Sequence, residues 1–209
     1  MAYRPTERTE ARKAELRERL LNAALNRVTT GGFKALTIVA VAQQAGMATG
    51  TVYKHFESKA HLCAEVFRMA TQKEVSLVRS TALGTGAPAA RLLATIETFA
   101  LRALRSPRLA YALIAEPVDT LVDVERLRYR QAYAEIFEQL VEDGVRQGAF
   151  PAQAPAVSAA ALVGVISESL VGPLSWQVDT QPGLEQATLI RSIQAFCLRA
   201  VALKDLAAA

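Results

Sequence analysis

Histidine and cysteine are scarce in this sequence, and each shortage excludes a class of site. Two histidines, His55 and His61, are too few for a histidine-based metal cluster or a Ser-His-Asp triad in the C-terminal part of the chain. Two cysteines cannot build a disulfide scaffold. No glycine-rich phosphate loop is present. We therefore expect no catalytic residues, no metal site and no cofactor, and thus not an enzyme.

Long hydrophobic runs are also missing. The most apolar stretch, residues 154–166, is shorter than the ~20 residues that cross a bilayer. The first 20 residues are mostly charged and polar, unlike a signal peptide. With 51% hydrophobic and 21% charged residues, the chain is expected to be a soluble cytoplasmic protein with no membrane partner.

The two cysteines, Cys63 and Cys197, have apolar neighbours in the sequence. This setting predicts buried, inert thiols. A redox sensor that uses Cys63 is the alternative.

Alanine is abundant, with 39 residues among 209, and leucine, arginine and glutamate join it as strong helix formers. Because no segment alternates apolar and polar residues as a strand does, we predict an all-α fold of about nine helices. The predicted helices cover about 9–29, 37 to the glycine at 46, 49–55, 58–80, a segment after the linker 84–88, a short helix from 107, 120–147, 154–170 and 182–206.

Positive charge is concentrated at the N-terminus. Residues 1–60 contain ten lysines and arginines against five glutamates, whereas the remaining residues are close to neutral. A basic segment on a near-neutral chain indicates contact with a polyanion. A solvated, charged first helix is the alternative interpretation.

Residues 37–59, TIVAVAQQAGMATGTVYKHFESK, have the pattern of a helix-turn-helix. Ala42 is small enough to let a second helix cross closely, and Gly46 permits the positive φ of a tight turn. Apolar residues stand where the two helices must share a core, and the second helix of such a motif enters a DNA major groove.

Eight residues of this segment have side chains suited to phosphates or base edges: Thr37, Thr49, Gly50, Thr51, Tyr53, Lys54, His55 and Lys59. Lys54 is the candidate for a guanine edge. Tyr53 as a core aromatic and His55 as an ordinary surface histidine are the alternatives. Arg4, Arg8 and Arg12 form either a DNA-contacting arm or a solvated tail.

The segment resembles the N-terminal DNA-binding domain of TetR-family transcriptional regulators. The matching positions are Thr37, Val41-Ala42, Ala45-Gly46-Met47, Gly50-Thr51-Val52-Tyr53, His55-Phe56, Ser58-Lys59 and Leu62. The nine-helix plan extends the similarity over nearly the whole chain. Ala48 departs from the pattern, because the family usually has a serine there that caps the recognition helix, a contribution of ~1 kcal/mol. Thr49 is the candidate substitute.

The resemblance implies two domains, a DNA-binding head (residues 1–58) and a body (residues 59–209) that binds an effector and dimerises. It further implies a repressor that releases a pseudopalindromic DNA operator when a small effector binds. The candidate pocket residues are largely apolar, which favours a hydrophobic or amphipathic effector. A helical enzyme and a constitutive architectural DNA-binding protein are the alternatives.

The last two predicted helices are the candidate dimer interface, which in the family is a four-helix bundle. The eighth helix is apolar on more than one face. Its apolar surface is therefore larger than the core of one chain can bury. The candidate interface residues are Ala160, Gly164, Ser167, Leu189, Ile193, Phe196 and Ala200. The alternative is that both helices form the core of a monomer.

A ligand pocket is expected among the fourth to eighth helices. The candidate lining residues are Phe67, Phe99, Ala103, Tyr111, Tyr129, Tyr133, Phe137, Glu168 and Trp176. An aromatic stripe at helical spacing is equally compatible with core packing. Glu168 lies in an apolar helix and needs a partner there, either an arginine (Arg102, Arg128 or Arg130) or a ligand, or it is protonated. The charged stretch 115–133 is either a salt-bridge network at the pocket mouth or a surface face.

Overall fold

Alanine-rich amphipathic segments form helices throughout the residues that this computed structural model describes, 7–175 and 185–202. The predicted all-α class with nine helices is confirmed for these residues. The helices are α1 (Glu7–Gly31), α2 (Ile38–Ala45), α3 (Thr49–His55), α4 (Lys59–Ala82), α5 (Pro88–Arg105), α6 (Pro107–Ile114), α7 (Thr120–Arg146), α8 (Pro155–Leu174) and α9 (Gln186–Ala202). A single 3-10 turn, Phe33–Ala35, connects α1 to α2.

Within the described residues, one predicted helix boundary differs from the structure by more than two residues. The helix α8 continues through Pro173 to Leu174, four residues beyond the predicted end. Only one residue follows the proline inside the helix, so little helix is disturbed. Part of the predicted ninth helix, together with Trp176 and Arg4, lies outside the described residues.

The first three helices pack around one hydrophobic cluster. Leu20, Ala24 and Val28 of α1 are fully buried against Val41 of α2 and Val52 of α3. Between α2 and α3 the chain turns at Gly46, which has the left-handed backbone conformation that the sequence pattern predicts.

The fourth helix belongs to both halves of the molecule. Its first half, with Leu62 and Val66, lies in the cluster of the head, and its second half, with Val78 and Ala82, lies in the cluster of the body. The domain division at residue 58 stays a prediction. The packing shows that a displacement of α4 affects both clusters.

The helix α8 is long and apolar enough to cross a membrane by length and composition, with a mean hydropathy of 1.7. The expectation that the most apolar stretch is too short for a span is therefore wrong. One side of α8 packs into the body through Leu162, Ile166 and Leu170, and a core helix of this kind passes the same test. The absence of a membrane partner stays a prediction.

One buried carboxylate joins the body to the head. The backbone N–H groups of Phe33 and Lys34 donate to the two carboxylate oxygens of Glu116, at 2.9 and 3.1 Å. Gly32 makes room for this pair of hydrogen bonds, named here the Glu116 contact. Its φ of 73° and ψ of −177° lie in a region that is essentially restricted to glycine. A Cβ at Gly32 would lie 2.5 Å from Glu116 Oε2.

We expect Gly32→Ala to lower the free energy of unfolding by about 2 kcal/mol or more, because it adds backbone strain and displaces the Glu116 carboxylate. Gly148→Ala is the matched control, since Gly148 also has a positive φ of 70° but has open space around its Cβ position. The control is expected to cost about 1 kcal/mol. Urea unfolding measures both values, and equal costs for the two variants would contradict the steric role of Gly32.

Candidate nucleic-acid interface and candidate ligand cavity

The short helix α3 divides its residues between two faces. Thr49, Gly50, Tyr53 and Lys54 are exposed, and the helical period places these four on one side. Val52 is fully buried on the other side. Tyr53 is 57% exposed, which excludes its reading as a core aromatic. The exposed face therefore presents a hydroxyl, a phenol and an ammonium group from one rigid element.

Thr51 and His55 lie on the buried side of α3 and are half-buried. The Nδ1 atom of His55 is buried without a hydrogen-bond partner among the described residues. Burial, with Lys13, Arg17 and Lys54 nearby, lowers the pKa of His55 below its ordinary 6.5. The neutral form of the ring is therefore favoured, and a neutral imidazole has one N–H donor and no positive charge.

The starts of α2 and α4 carry the other two predicted contacts, Thr37 and Lys59, and both are exposed. Thr37 caps α2 by accepting a hydrogen bond from the N–H of Ala40 at 3.1 Å. The start of α3 differs, since Ala48 has no side chain that caps it. Thr49 makes no side-chain hydrogen bond among the described residues, so it does not replace the missing serine. The N–H group of Thr51 donates to the carbonyl oxygen of Ala48 at 2.9 Å, and the first two N–H groups of α3, those of Thr49 and Gly50, keep their capacity to bind an anion.

A cavity of about 260 Å³ lies among α4, α5, α6, α7 and α8. Its lining combines apolar and aromatic side chains with a small polar set: Phe67, Thr71, Glu74, Val78, Phe99, Arg102, Ala103, Arg105, Ser106, Leu109, Ala110, Leu113, Ile114, Arg126, Tyr129, Arg130, Tyr133, Val163 and Ser167. A concave apolar site with a few polar groups is the usual form of a small-molecule pocket.

Five predicted pocket residues line this cavity: Phe67, Phe99, Ala103, Tyr129 and Tyr133. Three others do not. Phe137 is buried in the core of the body, and Tyr111 packs against that core. Glu168 is exposed, so it needs no buried partner, and Ser167, the preceding residue of α8, faces the cavity instead.

Sequence reasoning missed most of the polar lining. Arg102 and Glu74 form a two-pronged ion pair between α5 and α4, with Arg102 Nη2 donating to Glu74 Oε1 at 2.6 Å. Burial, and secondarily the Glu74 charge, raises the pKa of Tyr133 far above its ordinary value, so its phenol keeps its proton. The charged stretch 115–133 could have predicted part of this lining. Its helical spacing places four of the lining residues on one face of α7: Arg126, Tyr129, Arg130 and Tyr133.

The cavity lies between the two hydrophobic clusters. Phe67, Leu109, Leu113 and Tyr129 belong to the cluster of the head and also line the cavity. Phe67 is packed with its ring centroid 6.4 Å from that of Phe33, beside the Glu116 contact, and 5.8 Å from that of Tyr129. A molecule in the cavity therefore touches side chains that hold the head in place.

The outer sides of α8 and α9 form an exposed apolar face in the single chain. Val157 is 69% exposed and Phe196 is 52% exposed. Ala160, Gly164 and Ala200 are exposed, and Leu189 is half-buried. The sequence-based placement of Ser167 and Ile193 on this face is wrong, because both are buried inside the chain.

Comparison with known proteins identifies relatives of both the head and the whole fold. Residues 20–66 match the family model described as bacterial regulatory proteins, tetR family. The HTH-type transcriptional repressor KstR of Mycolicibacterium smegmatis is 32% identical over 99 residues, which are 47% of this chain and 48% of that protein. The matched part therefore spans about half the length of this relative.

One further relative and one structural neighbour cover more of the chain. The HTH-type transcriptional repressor KstR2 of Rhodococcus jostii is 27% identical over 142 residues, 66% of this chain and 69% of that protein. The crystal structure of the transcriptional regulator FadR from Bacillus subtilis in complex with stearoyl-CoA has a TM-score of 0.73. It is 16% identical, covers 88% of this chain and 98% of its own, and shows the same fold.

Both cysteines are buried thiols. Burial raises the pKa of Cys63 and of Cys197 from an ordinary 9.0 to about 11. Only the thiolate reacts with oxidants and thiol reagents. The environment of Cys63 therefore opposes the redox-sensor interpretation.

We expect a disulfide reagent such as DTNB to label native protein slowly at pH 8, because a pKa of about 11 leaves about a hundredfold less thiolate than an ordinary thiol. The labelling rate should rise with pH up to about 11, and both thiols should react at once in urea. Rapid labelling of the native chain at pH 8 would contradict this burial.

Proposed function

This chain belongs to the TetR family of bacterial regulatory proteins, and from that premise we propose that it is a homodimeric transcriptional repressor. The dimer binds a pseudopalindromic operator in double-stranded DNA in the cytoplasm. It releases the operator when a small hydrophobic or amphipathic effector fills the cavity among α4 to α8. The chain catalyses no reaction in this proposal.

One observation carries the proposal: some side chains that line the cavity also belong to the hydrophobic cluster of the head. Phe67 is 1% exposed, belongs to the cluster of the head and lines the cavity. An effector shifts a conformational equilibrium only if it binds the two states with different affinity. Because the cavity wall includes residues of both clusters, a change in head position changes the cavity, and the two states differ in effector affinity.

The DNA-binding part rests on the exposed face of α3 and on the flanking positions Thr37 and Lys59. The helix α3 is the second helix of the helix-turn-helix, the element that reads base edges in the major groove in such motifs. The basic N-terminal segment supplies charge for the phosphates. The two named relatives KstR and KstR2 are transcriptional repressors, which supports repression as the output.

The effector part is supported by the FadR neighbour, whose structure holds stearoyl-CoA. That molecule joins a long apolar chain to a charged group, and the lining here likewise combines apolar and charged side chains. The mixed lining of this cavity therefore supports an amphipathic effector.

The dimer part is supported by the exposed apolar face of α8 and α9. A two-fold axis through this face buries Val157, Ala160 and Phe196 of each protomer, and Gly164 permits close approach because the space around its Cβ position is open. Two-fold symmetry sets two recognition helices about one DNA turn, roughly 34–36 Å, apart.

We expect the double variant Tyr53→Ala, Lys59→Ala to lose about a hundredfold or more in affinity for operator DNA, since it removes two exposed DNA contacts. The probe is a duplex that wild-type protein selects from a random-sequence pool, and gel retardation measures affinity. The single variant Lys59→Ala should also reduce the salt dependence of log affinity by about one.

Lys73→Ala is the matched control, because Lys73 is exposed on α4 beyond the head. It should bind the duplex as wild type does. Unchanged retention by the double variant, with an unchanged unfolding temperature, would overturn the DNA-binding face proposed here.

We expect Ala160→Arg to convert a dimer to a monomer, because it places a charge in the centre of the apolar face. The control is Ala94→Arg, which changes an exposed alanine on α5. Sedimentation velocity should show twice the chain mass for wild type and for the control, and the chain mass for Ala160→Arg. A dimer of Ala160→Arg would show that the interface lies elsewhere.

A further inference from the structure

Charge in the cavity lining is strongly unbalanced. The lining contains four arginines, Arg102, Arg105, Arg126 and Arg130, against one acidic residue, Glu74. The other lining residues are apolar, aromatic or hydroxyl-bearing. An apolar cavity with excess positive charge differs from one built for a purely hydrocarbon ligand.

Two of the four arginines have structural partners. Arg102 pairs with Glu74. Arg126 donates to the carbonyl oxygens of Leu113 and Glu116, at 3.0 and 2.7 Å, and to Asp123. These guanidinium groups hold helices together, and their charges are compensated.

Arg105 and Arg130 have no hydrogen-bond or ion-pair partner among the described residues. They are also the two exposed residues of the lining, so they mark where the cavity meets solvent. Arg130 lies one helical turn after Arg126 on α7. Burial lowers the pKa of Arg126, and the nearby charge of Arg130 lowers it further. A like-charge pair at this spacing is unfavourable, and an anion relieves it.

Much of the remaining lining is apolar. Val78, Ala110 and Val163 are buried lining residues, and Phe67, also buried, belongs to the cluster of the head as well. A ligand that fits this arrangement places hydrocarbon among these side chains and an anionic group beside Arg105 and Arg130. Charge-assisted hydrogen bonds from arginine to carboxylate or phosphate are among the strongest in proteins.

We propose that the cavity binds an anionic amphiphile whose carboxylate or phosphate group is held by Arg105 and Arg130 at the cavity mouth. The inference rests on the proposed function, because it assumes that the cavity is the effector site. It goes further by specifying the charge of the effector and the two residues that recognise it.

The test compares ligands that share one alkyl chain: decanoate, decanol and decyltrimethylammonium, titrated into full-length wild-type protein by calorimetry. Decanoate should bind at least about tenfold more tightly than decanol, since charge-assisted bonds form only with the anion. Decyltrimethylammonium should bind most weakly. Equal affinity for decanoate and decanol, or binding of none of the three, would overturn the proposal.

The double variant Arg105→Gln, Arg130→Gln should lose the preference for decanoate and keep the affinity for decanol. Retained decanol binding shows that the cavity is intact. The matched control is Arg146→Gln, an exposed arginine of α7 outside the cavity lining, which should bind as wild type does. A preference for decanoate that survives in the double variant would assign anion recognition to other residues.

Two further ligands distinguish the sources of the anion. Decyl phosphate and decanoyl-CoA are titrated in the same way as decanoate. The ligand that binds most tightly identifies the anionic group of the effector: a carboxylate for decanoate, a phosphate monoester for decyl phosphate and a nucleotide-linked thioester for decanoyl-CoA. Each of these results supports the proposal if the double variant removes the preference.

A separate gel retardation measurement tests the proposed function independently. Selective binding of the anion without operator release contradicts the effector response but leaves the anion site standing. Operator release by decanol at the same concentration as decanoate contradicts the anion site and supports the effector response.

Discussion

The Glu116 contact is the interaction on which the arrangement of head and body depends. A carboxylate that is 4% exposed is costly unless hydrogen bonds compensate it, and here two backbone N–H groups of the 3-10 turn do so. On the other side, Arg126 donates to the backbone carbonyl of Glu116 and to the last turn of α6. The chain around Glu116 is thus fixed to the head by its side chain and to α7 by its backbone.

Because of this double attachment, α6 connects the cavity to the head. Leu109 and Leu113 of α6 line the cavity, and Glu116 follows the end of the same helix. Under the proposed function, an effector that displaces α6 displaces the Glu116 carboxylate and with it the 3-10 turn before α2. Phe67 of α4 provides a second path, because its ring lies between the cavity and Phe33. Both paths end at the segment that positions α2 and α3.

The sequence predicted the helix-turn-helix fold far better than the cavity, for a physical reason. The helix-turn-helix is set by local signals, such as the glycine at 46 and the small alanine at 42, so the bounds of α3 were predicted correctly. The cavity depends on how distant helices meet: Arg102 and Glu74 are 28 residues apart. A one-residue change of register rotates a side chain by about 100° on a helix, which is why Ser167 and not Glu168 faces the cavity.

The charge of Arg130 at the cavity mouth acts on Arg126, which in turn bonds to the backbone of Glu116. The repulsion between Arg126 and Arg130 costs only about 0.2–0.5 kcal/mol in the empty protein, because Arg130 is exposed. An anion beside Arg130 would offset the positive charge that Arg130 presents to Arg126, whose pKa is already lowered by burial. Arg126 already has Asp123 and the carbonyl oxygens of α6 as partners, and the anion would remove the repulsion that opposes these contacts. Under the proposal, an anionic effector would act on the guanidinium group that holds the backbone of Glu116, whereas an uncharged one would act on the apolar walls alone.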